Sequence, residues 1–168
     1  DSPDPDARRP LNRPQVTVTF DTPADDVVGV RIEHFQGVLD RGPSFEVTRE
    51  PGDAKAIAPV VDGDPVASIT SGALTARVST DGAWGVDFVA DGRVLTSSTP
   101  RSVGIVSRDD GRSFVHEQLT LGVGEHVYGL GERFGPFVKN GQSVDIWNED
   151  GGTASDQAYK NVPFYLSD

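Results

Sequence analysis

Trp147-Asn148-Glu149-Asp150-Gly151-Gly152 is the stretch of this sequence best equipped for chemistry. An indole face stacks on the apolar face of a pyranose, and carboxylates and carboxamides hold sugar hydroxyls through paired hydrogen bonds. Two consecutive glycines let such a loop follow a path closed to other residues. The residue types therefore suit a sugar-binding loop. They also suit a glycine-rich turn around a core tryptophan, and spacing alone leaves both readings open. Aromatics and glycines crowd the whole stretch 128–165, which also holds Tyr128-Gly129-Leu130-Gly131-Glu132-Arg133-Phe134 and Ala158-Tyr159-Lys160-Asn161-Val162-Pro163-Phe164.

Other residues capable of chemistry point to structural roles. Gly129-Leu130-Gly131 with Gly135 lacks the G-x-G-x-x-G spacing and the following helix of a dinucleotide loop. Its glycines are expected to let the chain turn or let another backbone approach closely. The acidic pairs Asp62/Asp64 and Asp109/Asp110 are short and fall at turn signals, so solvated turns are expected there rather than calcium sites. His34, His116 and His126 are isolated from one another and are expected to be structural. The sequence implies no metal and no cofactor, and it carries no Gly-x-Ser-x-Gly or Walker motif.

Short alternating runs must position these residues. Strands are expected at 15–20, 27–35, 45–49, 57–61, 66–70, 74–79, 84–90, 94–97, 103–107, 113–121, 127–130, 143–147 and 162–166. Val16, Val18 and Phe20 share one face of the first, and Val28, Val30, Ile32 and His34 one face of the second. Between strands stand Asp62-Gly63, Asp81-Gly82, Asp91-Gly92 and Asp110-Gly111, and Asp-Gly favours the type I′ hairpin. Only 153–160 has the makings of a helical turn. The pattern predicts an all-β fold, an antiparallel β-sandwich.

A net charge of −11 argues against a nucleic-acid partner, because a phosphate-binding face needs clustered Lys and Arg. No apolar run approaches the roughly 20 residues that span a bilayer. The lack of cysteine removes disulfides and thiolate chemistry and fits a cytoplasmic protein. Residues 1–14, rich in Pro, Asp and Arg, are expected to be a flexible leader, with the sandwich domain over 15–168. With no Met anywhere, the chain is expected to be a processed or excised piece.

The three linked motifs at 129–134, 147–152 and 159–164 resemble, in order and spacing, those of family 31 glycoside hydrolases, in particular the α-xylosidase-like branch. The resemblance implies a galactose-mutarotase-like β-sandwich, the N-terminal domain of a retaining α-glycosidase of α-xylosidase or α-glucosidase type. In that family the nucleophile and acid/base are aspartates on a (β/α)8 barrel, here expected beyond Asp168. Retaining glycosidases hold such a pair about 5–5.5 Å apart. The resemblance therefore implies that this chain contains no catalytic residue and is inactive alone. It also implies that Asp150, on a loop reaching over the barrel mouth, binds an α-linked oligosaccharide or glycoside. Trp147 and Asn148 either touch sugar or brace the loop, and Glu132 and Arg133 form structural pairs. Since the family's sandwich continues past the Pro-Phe strand, 162–166 is expected to lack a neighbour and to favour a strand-pairing homo-oligomer. The rival reading is a free-standing carbohydrate-binding or interaction β-sandwich.

Overall fold

The computed structural model describes residues 15–34, 65–149 and 158–168, all of them in strands, turns or irregular chain with no helix. The chain divides into two compact units, Asp1–Thr120 and Leu121–Asp168.

In the first unit, β1 (Val16–Ala24) and β2 (Val27–His34) form an antiparallel hairpin. Val16, Val18 and Phe20 on β1, and Val28, Val30, Ile32 and His34 on β2, are among the half-buried positions, while Thr17, Thr19, Arg31 and Glu33 are exposed. A four-stranded antiparallel meander follows, from β3 (Val66–Ser71) and β4 (Leu74–Ser79) to β5 (Val86–Ala90) and β6 (Arg93–Ser98). Ile69, Ala76 and Val86 are its buried core, and Phe20 and Val28 of the hairpin pack against them with Val78, Trp84 and Phe88. Two antiparallel layers thus enclose one apolar centre. The turns of the layers are stitched together. Ser71 donates through its hydroxyl to the Ala24 carbonyl at 2.7 Å, and the Ala73 amide donates to Asp26 Oδ1 at 2.6 Å.

The turn chemistry explains the register. Asp91 and Gly92 both have positive φ, 50° and 73°, as a type I′ link between β5 and β6 requires. β7 (Gly104–Ser107) and β8 (Ser113–His116) are joined by a longer turn in which Gly111 has φ 81° and Asp110 does not enter the left-handed region. Arg112 caps that turn, donating to Asp110 Oδ2 from Nε at 2.9 Å and from its terminal nitrogen at 2.7 Å. The Arg112 side chain, helped by its backbone amide, holds the Asp110 carboxyl below the usual range. The pair Asp109/Asp110 is therefore a turn, and the described residues contain no cluster of metal-ligating side chains.

Several sequence expectations change. The expected strand 113–121 divides. Only 113–116 pairs with β7, whereas Leu119 bridges Ser98 and the Thr120 amide donates to Ser97 at the edge of β6. One alternating run thus serves two sheets. The expected strand 143–147 forms no strand. Of the expected helical turn 153–160, Ala158 is a β-bridge and Lys160 begins a strand. The leader 1–14, the expected strands 45–49 and 57–61, Asp62/Asp64 and residues 153–157 lie outside the described residues.

The second unit pairs β9 (Val127–Glu132) with β10 (Lys160–Ser167). The expectation that 162–166 stands without a neighbour is therefore corrected. β10 is laddered to β9 on one side, and its other edge meets no strand among the described residues.

Ala76 is wholly buried, and it lies in register between Ile69 of β3 and Phe88 of β5. A larger side chain there must displace close-packed neighbours. Ala76→Leu should lower unfolding stability by about 1–3 kcal/mol, read as a lower urea midpoint at unchanged slope. An unchanged midpoint would contradict this account of the core.

A braced loop as the candidate functional site

The site begins with the way β9 and β10 approach each other. Gly129, Leu130 and Gly131 have φ of 107°, 69° and 94°, three consecutive residues on the left-handed side. Across from them Asn161 faces Gly131 and Tyr165 faces Gly129, so that 162–164 answer the single residue Leu130. Pro163, which has no amide hydrogen to give, falls inside this bulge rather than in the ladder. A Cβ on Gly129 would lie 2.8 Å from the Phe164 carbonyl oxygen. One on Gly131 would lie 2.8 Å from the Val162 nitrogen and 3.0 Å from the Asn161 Cα. The glycines are there for close backbone approach, as expected. Leu130 is a bulky residue in a conformation that costs on the order of 1–3 kcal/mol. Its carbonyl is held by Arg133 Nε at 3.2 Å.

Arg133 also donates to the backbone carbonyl of Asp145 and to Asn161 Oδ1. Asn161 carries the bracing onward. Its Nδ2 donates to the Trp147 carbonyl at 2.5 Å, to Asn148 Oδ1 at 3.1 Å and to the Ala158 carbonyl at 2.8 Å. Its backbone amide donates to the same Asn148 Oδ1 at 2.9 Å. Asn148 and Ala158 form a parallel bridge, and the Glu149 amide donates to the Ala158 carbonyl at 3.0 Å. Both ends of the segment 149–158 are thereby held at β10.

Each residue singled out in the sequence can now be placed. Trp147 is 71% exposed, which removes the core-tryptophan reading. The core tryptophan is Trp84, whose indole donates to Ser98 Oγ at 2.8 Å. Asn148 uses its carboxamide oxygen as a brace. Asp150 lies outside the described residues, immediately after Glu149. Glu132 and Arg133 bond to other groups of the protein, as expected. Lys160 Nζ meets Glu132 Oε2 at 2.9 Å, and that hydrogen bond raises the lysine pKa. His126 donates through its backbone amide to Asp168 Oδ1 at 2.8 Å, and His116 packs its ring over Gly104. Asn161, the centre of the bracing, carried no assigned role in the sequence. Its place inside the Tyr-Lys-Asn motif was the available signal.

A cleft of about 780 Å³ opens within this unit beside the loop, lined among others by Arg133, Phe134, Lys139, Asp145, Trp147 and Glu149. Phe134 and Phe137 are also largely exposed, at 59% and 79%, so exposure by itself does not single out Trp147. What distinguishes Trp147 is a backbone fixed by a side-chain hydrogen bond on one side of a cleft that mixes aromatic, cationic and acidic groups. Such a surface can stack a ring and hold hydroxyls.

The dependence on Gly131 is directly testable. Gly131→Ala adds a Cβ against backbone atoms of β10 at a φ that alanine avoids, and backbone cannot move aside as a flexible side chain can. It should destabilise the protein by at least about 1–3 kcal/mol and raise amide exchange across β9 and β10. Wild-type exchange in both strands would contradict the close-approach account.

Residues 17–168 match the family model described as the glycosyl hydrolase 31 N-terminal galactose mutarotase-like domain. The chain is 42% identical over 159 residues to the alpha-xylosidase XylQ of Lactiplantibacillus pentosus, across 94% of this chain and 20% of that protein. It is 40% identical over 179 residues to an alpha-xylosidase of Emericella nidulans, across 94% of this chain and 22% of that protein. A solved structure of a GH31 dextranase from Flavobacterium johnsoniae, complexed with glucose, aligns at a TM-score of 0.70 and 22% identity. It covers 93% of this chain and 19% of that one, and at that identity the likeness concerns the fold. The chain thus spans 20–22% of the length of these two curated relatives. By its family match, its two alpha-xylosidase relatives and its antiparallel strands, this chain belongs to the N-terminal galactose mutarotase-like domains of glycoside hydrolase family 31.

Proposed function

We propose that this domain serves a retaining α-glycosidase that acts on α-xylosides, and that it does no bond cleavage itself. Its part is to present the loop 147–152 to the substrate mouth, where the Asp150 carboxylate accepts hydrogen bonds from sugar hydroxyls. The observation that carries this reading is Trp147, whose indole is exposed and whose backbone carbonyl accepts a hydrogen bond from Asn161 of β10. A binding group held on a strand loses little freedom when ligand arrives, so more of its interaction energy appears as affinity. The alpha-xylosidase relatives support the choice of substrate class. The cleaving carboxylates are assigned to a barrel outside this chain, so the chain alone should not turn over substrate.

A carboxylate accepting hydroxyl hydrogen bonds contributes about 1.5–3 kcal/mol. In the intact enzyme that carries this domain, Asp150→Ala should lower kcat/KM for an aryl α-xyloside by roughly ten- to a hundredfold with Tm unchanged. The loss should be smaller than that from removing the nucleophile. Unchanged kcat/KM would mean that Asp150 binds no substrate. A large fall in Tm would mean that it stabilises its own loop. Sugar binding by the isolated chain that survives without any barrel would favour a free-standing carbohydrate-binding module instead.

A further inference from the structure

We propose that Asn161 is a positioning residue for the sugar-binding loop, and that its carboxamide sets the attitude in which Trp147 meets the substrate. This rests on the reading of 147–152 as part of the substrate mouth.

The orientation of the carboxamide follows from its partners. Arg133 offers only donors, so the group of Asn161 that faces it is the oxygen. That leaves Nδ2 aimed at the Trp147 carbonyl, the Asn148 side-chain oxygen and the Ala158 carbonyl, three acceptors for its two hydrogens. Two of these acceptors, on Trp147 and Asn148, precede residues 149–157 and the third, on Ala158, follows them. The carboxamide joins Trp147 and Asn148 to Ala158, and Asn148 and Ala158 are themselves bridged. The strand that carries it can come this close to β9 only because Gly131 has no side chain. A single planar group thus links a paired strand to the backbone of the residue that carries the exposed indole, with its flip fixed by a guanidinium on the far side.

Asn161→Asp is the informative substitution. It keeps the shape and the oxygen that faces Arg133, but turns the donor into a second oxygen facing three acceptors. The intact enzyme carrying this change is compared with wild type, Asp150→Ala, Trp147→Ala and the double variant Trp147→Ala/Asn161→Asp. Two readings are taken, amide exchange over 147–149 and kcat and KM on an aryl α-xyloside. Asn161→Asp should speed exchange there about tenfold or more and lower kcat/KM about tenfold, mostly through KM. The double variant should be little worse than Trp147→Ala alone, since both act through the same loop. If Asn161→Asp lowers Tm of the whole enzyme, Asn161→Ala, which removes the donors without adding a charge, is read in the same way.

Wild-type exchange or wild-type kinetics in the Asn161 variants, with Asp150→Ala still impaired, would overturn the positioning role and leave the substrate-mouth reading standing. Full additivity of Trp147→Ala and Asn161→Asp would also overturn it. Unchanged kinetics in all the variants, with exchange faster in Asn161→Asp, would overturn the substrate-mouth reading and the positioning role with it.

Discussion

Gly129 and Gly131 let β9 and β10 run closer than any side chain on those positions would permit, and the candidate site depends on that approach. The backbone accepts a left-handed leucine between them and an unequal count of residues across the ladder. Both features are unfavourable taken alone. They persist because Arg133 holds the Leu130 carbonyl and continues to Asn161, whose carboxamide then reaches the loop. Strain at one end of this chain of contacts and an ordered, exposed Trp147 at the other belong to one arrangement. Backbone strain concentrated where function is expected, and offset by hydrogen bonds around it, is a common pattern in binding proteins.

The first unit follows a different logic. Ile69, Ala76 and Val86 form a small apolar centre, and turn chemistry with cross-strand packing determines its register. Its tryptophan is turned inward and bonded to Ser98, which is itself bonded to Ser102. The second unit exposes its aromatics, among them Phe134, Phe137, Trp147, Tyr159 and Phe164. The same residue type thus serves as core in one unit and as surface in the other. Composition alone could not separate the two tryptophans. The exposure of Trp147 and the hydrogen bond of the Trp84 indole do.

Local signals were the legible ones. The alternation at 16–20 and 28–34 read correctly because a half-buried strand writes its own period into the sequence. Asp91-Gly92 also read correctly, since a two-residue hairpin is decided by the two residues in it. The run 113–121 misled because its alternation belongs to two different sheets, a choice made by partners far along the chain. The run 143–147 alternates but has no ladder; the Arg133 and Asn161 side chains hold its Asp145 and Trp147 carbonyls. The motifs around 129–134, 147–152 and 159–164 pointed to the candidate loop, of which Trp147, Asn148 and Glu149 are described. They did not reveal Asn161 as its brace, because that role arises only when residues from all three motifs are brought together.

If the loop 147–152 reaches the sugar, held by Asn161 from behind, a crystal structure of the intact enzyme with an α-xyloside-derived inhibitor should show an Asp150 carboxylate oxygen about 2.5–3.0 Å from a sugar hydroxyl. The Asn161 carboxamide should remain on Trp147 and Asn148. A ligand bound out of reach of residues 147–152, or a loop whose neck has parted from Asn161, would contradict it.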